Sequence, residues 1–114
     1  RIFDIWTGKQ RNWRMAKEVV WSLRAQKERK EILEYWRLRN KSNTYSKKLN
    51  QLFKESVKLI TDFPQIGKPT DDINTRIKIV RDYLIIYEET ETQIQILTIW
   101  DSRQDPDKLK NIIA

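Results

Sequence analysis

The chain has 114 residues, with 23 Lys and Arg against 16 Asp and Glu, a formal net charge of +7, no Cys, no His and only two Gly. These counts exclude a disulfide framework, zinc sites of the usual kind, Ser-His or Cys-His nucleophiles and a Gly-rich phosphate loop. One domain with a modest core fits this length, and no apolar run approaches the ~20 residues that a membrane span needs. The resulting expectation is a soluble, cytoplasmic protein with no cofactor and no metal.

Residues 1–14 carry +3 and the remainder +4, so the body is only mildly basic. A basic balance permits a nucleic acid or an acidic protein as partner without choosing between them. Met15 is the only Met and directly precedes the first regular pattern. The expected division is therefore an N-terminal extension over 1–14, non-native or translated from an upstream start, and a domain over 15–114.

Lys17 to Leu23 is β-branched and aromatic and reads as a short strand. From Arg24 the pattern changes: Ala25, Ile32, Leu33, Tyr35 and Trp36 recur near a 3.6-residue period and predict an amphipathic helix to about Arg39. After the break at Asn40 to Asn43, either Asn43 or Thr44 can cap a second helix. Its predicted stripe is Tyr45, Leu49, Leu52, Phe53, Leu59, Ile60 and Phe63, and it ends before Pro64. Pro64 to Thr75 reads as a loop. Strands are predicted at 76–80, 83–88 and 93–100, with a hairpin turn at Glu88 to Thr92, and Asp107 to Ile113 can form a terminal helix. The fold class is α+β in the order β-α-α-β-β-β, a helical hairpin packed on a mostly antiparallel four-stranded sheet.

The last strand is the most apolar, which favours an interior place, and it ends in Asp101-Ser102-Arg103-Gln104-Asp105-Pro106. Charged groups that directly follow a buried strand are held by rigid structure, so this rim is the first place to seek function. Four features in order carry a resemblance: Val19-Val20-Trp21-Ser22 before a charged helix, Phe63-Pro64-Gln65-Ile66-Gly67, Arg76 with Tyr83 to Tyr87, and Ile94 to Trp100 closing on Arg103-Gln104-Asp105-Pro106. Over roughly residues 16 to 110 the chain resembles the RelE/ParE superfamily of toxins from bacterial type II toxin–antitoxin pairs.

The resemblance implies the same fold and a growth-arresting toxin with a cognate antitoxin, with which it could assemble into oligomers. It implies two kinds of target. RelE-like members cleave mRNA on the ribosome; ParE-like members inhibit DNA gyrase as binding proteins and often carry an Arg-x-Asp-Pro-like ending. A module of the same fold without toxicity is a third reading. Metal-independent RNA cleavage requires an in-line 2′-hydroxyl, charge stabilisation on the phosphorane and two proton transfers. The favoured expectation is that endoribonuclease, with Arg76, Arg81, Tyr87 and Arg103 as catalytic candidates and Lys78, Tyr83, Asp101 and Gln104 as contact residues. Yet the residues after Pro106 include neither the Tyr nor the His usual in RelE-like toxins.

Structural readings of the same residues stand beside these. Arg76 and Arg103 could pair with Asp101 and Asp105 as an ion-pair network, and Tyr87 could be core. Trp21, Trp36 and Trp100 lie on apolar stripes as core or partner surface. Lys47, Lys48, Lys54 and Lys58 are either a solvated face or one wall of a basic groove.

Overall fold

The computed structural model describes residues 17–113, with side chains described up to Leu109, so the expected boundary at Met15 lies outside the described residues. Chain order is β1 (Glu18–Trp21), α1 (Leu23–Asn40), α2 (Thr44–Asp62), β2 (Lys68–Pro69), β3 (Thr75–Val80), β4 (Tyr83–Glu89), β5 (Gln93–Asp101) and α3 (Pro106–Ile113). The sheet order is β1-β5-β4-β3-β2. Among the described residues only the β1–β5 pair is parallel, and these two strands are joined by a long connection, as parallel neighbours must be. The α+β class and the element order expected from the sequence are those observed, but the sheet has five strands rather than four. The fifth, β2, lies in the stretch expected to be loop. Its two residues include a Pro, which only an edge strand tolerates.

Ser22 joins β1 to α1. Its Oγ accepts from the Ala25 N–H at 2.9 Å as an N-cap and donates to the Leu97 carbonyl at 2.7 Å, so one hydroxyl starts the helix and ties it to β5. At the far end Lys41 closes α1 in the left-handed region, φ 52°, with Ser42 N–H bonded to the Arg37 carbonyl. Asn43 occupies the N-cap position of α2, but its side chain makes no capping bond; instead Ser42 Oγ accepts from the Thr44 N–H.

The buried stripe of α2 is Leu49, Phe53, Val57 and Ile60. Leu59 and Phe63, both expected in the stripe, are exposed; Leu59 lies about 200° around the helix from Val57. These α2 side chains pack with Ala25 against Val80, Tyr83, Ile85, Tyr87, Ile94, Ile96 and Ile99. On the opposite face Ile86 and Trp100 meet Leu109 of α3. Both faces of β4 and β5 are therefore covered, which explains their near-continuous apolar runs.

One irregularity sets how β5 delivers its end. Tyr87 pairs with Ile96 and Ile86 with Thr98, so Leu97 is an extra residue, a β-bulge. Beyond it the faces exchange: Ile94, Ile96 and Ile99 face the helices, Trp100 faces α3, and Asp101 pairs with Tyr83 on the helix side.

Candidate functional site

Val80 pairs with Tyr83, leaving Arg81 and Asp82 as a two-residue hairpin loop, with Arg81 in the left-handed region at φ 57°. The Asp82 carbonyl accepts from the Ser102 N–H at 2.9 Å, joining this loop to the chain leaving β5. Beside it the Arg103 guanidinium forks onto Asp101, Nε to Oδ1 at 2.9 Å and Nη2 to Oδ2 at 2.7 Å, and the Arg103 N–H adds a third bond to Oδ1. The bonds from the Arg103 side chain hold the Asp101 carboxyl below its ordinary value, and Asp101 in turn raises the Arg103 guanidinium. Gln104 closes the turn through its N–H to the Asp101 carbonyl at 3.0 Å. Asp105 does not join this network: its Oδ1 accepts from the Asp107 N–H, capping α3 with Pro106 at the first helical position.

Behind the rim, β1 has already ended at Trp21, so the edge of β5 is finished by α1. Glu28 accepts from the Ile99 N–H at 3.1 Å and from Thr98 Oγ1 at 2.6 Å while paired with Arg24. Between α1 and this edge lies a cleft of about 480 Å³, lined by Arg24, Glu31, Tyr35, Tyr83, Asp101, Arg103 and Gln104 among others. Tyr83 is 3% exposed and its hydroxyl accepts from Trp36 Nε1 at 2.8 Å; burial raises its pKa, against the opposing effect of the Trp36 bond.

Arg81, Tyr83, Asp101, Arg103 and Gln104 thus share one end of the sheet, whereas Arg76 and Tyr87 belong elsewhere. Their pair lies four residues down the ladder from Val80 and Tyr83, roughly 13 Å at 3.3 Å per residue. The Tyr87 hydroxyl is wholly buried, donating to the Pro64 carbonyl at 2.7 Å and accepting from the Gly67 N–H at 2.9 Å. Burial raises it as well. Arg76 Nη1 donates to the carbonyls of Gln65 and Gly67 at 3.2 and 2.8 Å. Together they clamp the corner between α2 and β2. A Cβ on Gly67 would sit 2.6 Å from the Tyr87 oxygen, so the Pro-x-x-Gly corner needs its glycine for close approach. Lys78, half-buried opposite Ile85, stands between the two groups on the helix side of β3.

Sequence reasoning missed Ser22, Glu28 and Tyr35, which build the α1 wall of the cleft or tie it to β5. The signal available was the serine just before the helical pattern; for Glu28, whose contacts lie some 70 residues away, there was none.

The fold is that of the RelE/ParE superfamily, and the family comparison makes the chain a toxin of a type II toxin–antitoxin system. More narrowly, the family model for the ParE toxin of the type II system parDE matches residues 19–106, and the chain belongs to that family. No curated protein matches it significantly. Among solved structures it is similar to a chain of the chromosomal ParDE system from P. aeruginosa, at 18% identity and a TM-score of 0.67, with 76% of this chain and 97% of that chain covered. The family implies an antitoxin partner. No helix among the described residues is long and apolar enough to cross a membrane.

Proposed function

We propose that this toxin arrests growth by binding DNA gyrase through its charged rim, without cleaving RNA. The observation that carries this reading is the separation of the candidate groups. Arg76 and Tyr87 are spent on the corner, roughly 13 Å from the rim that holds Arg81 and Arg103. Proton transfer and phosphate stabilisation have to converge within hydrogen-bond reach of one phosphate, and this arrangement keeps them apart. The rim suits protein recognition instead. It combines a fixed guanidinium, an exposed Arg81 and an exposed Gln104 beside a cleft with a half-exposed aromatic, Tyr35. Two of the three donor nitrogens of Arg103 are held by Asp101, so the side chain is oriented before it meets a partner.

Gyrase as the target comes from membership in the ParE family and the Arg103-Gln104-Asp105-Pro106 ending. A supercoiling assay with purified gyrase tests it. Inhibition by the full chain, lost in Arg103→Ala, is expected; undiminished supercoiling at saturating toxin would overturn it.

A further inference from the structure

The helical hairpin is charged quite differently from the sheet. Residues 23–62 hold eleven basic against five acidic residues, a net +6, whereas residues 63–114 hold seven against nine, a net −2. Part of that excess converges on an outer groove between α1 and α2. Ser46 Oγ donates to the Leu33 carbonyl at 2.8 Å and sets the hairpin register. Near it a groove of about 590 Å³ is lined by Lys27, Lys30 and Leu33 from one helix and Asn50 from the other. Lys47 and Lys54 flank Asn50 at three and four residues, the spacing that keeps side chains on one helical face. All four lysines are exposed, and none has an ion-pair partner among the described residues. Asn50 Oδ1 is buried without a partner.

We propose that this groove docks duplex DNA through its phosphate backbone. Lys47 and Lys54 are seven residues apart, roughly 10 Å along the helix, about three base-pair rises along a duplex axis. A row of unpaired cations on a rigid hairpin matches a polymer of evenly spaced charges better than a single anion. An acidic helix would need exposed apolar anchors, and a single strand would need stacking aromatics. No aromatic lines the groove and its one apolar side chain, Leu33, is half-buried; the exposed Tyr35 and Leu38 do not line it. The proposal holds with or without the gyrase reading.

Fluorescence anisotropy of a 20-base-pair duplex with the full chain tests it. Four phosphate contacts predict affinity falling roughly 100-fold between 50 and 200 mM salt. In the double variant Lys30→Glu, Lys47→Glu, binding should weaken at least tenfold and the log–log salt slope should flatten by about 2. Lys68→Glu, on the far edge of the sheet, should bind like the parent. Circular dichroism checks folding, and Lys27→Ala, Lys54→Ala serves if charge reversal perturbs it. Unchanged binding by the groove variants, a salt slope near zero, displacement by polyglutamate as effective as by competitor duplex, or tighter binding of a single strand would each overturn the proposal.

Discussion

The two conspicuous tyrosines of β4 illustrate how position decides what a side chain does. Tyr87 satisfies a buried N–H and a part-buried carbonyl at the corner, so Tyr87→Phe removes the partner of both. That should cost about 1–3 kcal/mol of stability, read as a lower denaturation midpoint, while the surviving folded protein remains toxic. Arg103→Ala should do the reverse: toxicity is abolished and the melting temperature barely moves, because this guanidinium is exposed and bonded only to its own turn. A large loss of stability would instead mark Arg103 as a structural brace. The same turn has an acid limit. Asp101 has a folded-state value below its ordinary one, so its contribution is complete above the usual carboxylate range and is lost as pH falls through the lower folded value. An NMR titration should show the Arg103 amide shifting with a midpoint below the ordinary aspartate value, and a midpoint above it would contradict the pairing.

At the scale of elements, helix and strand boundaries were legible because periodicity and turn chemistry are local. The sequence reading placed α1, α2 and β3 to β5 within a few residues of the observed ends. It erred where the cause is tertiary. Val57 rather than Leu59 faces the core, and the difference is testable: Ile60→Ala, in the true stripe, should cost about 2–5 kcal/mol, whereas Leu59→Ala should change the unfolding midpoint little. Equal effects would mean that α2 is rotated. Nor is the bulge at Leu97 visible in the run Ile94 to Trp100, where uniform apolarity hides a change of face. Yet it is this bulge that turns Asp101 toward α1 and so forms the cleft. Of the candidate site, Asp101, Arg103 and Gln104 were singled out in the sequence because they follow an apolar strand. Tyr87 as a core residue was among the sequence readings, whereas Arg76, read as a catalytic group or an ion-pair partner, instead bonds carbonyls nine and eleven residues away at the corner.

The whole molecule divides its labour by layer. A sheet covered on both faces over β4 and β5 carries a charged rim at one end, and a basic helical hairpin covers one side of it. Electrostatics of this kind govern association more than folding. The proposed mode of action is binding of a target protein without cleavage of RNA. The most direct test is a short pulse of expression in cells lacking the antitoxin, with plasmid topology and primer extension on translated messages read from the same samples. Relaxed plasmid or double-strand breaks with intact messages is the predicted result; messages cut within minutes while supercoiling stays normal would contradict it.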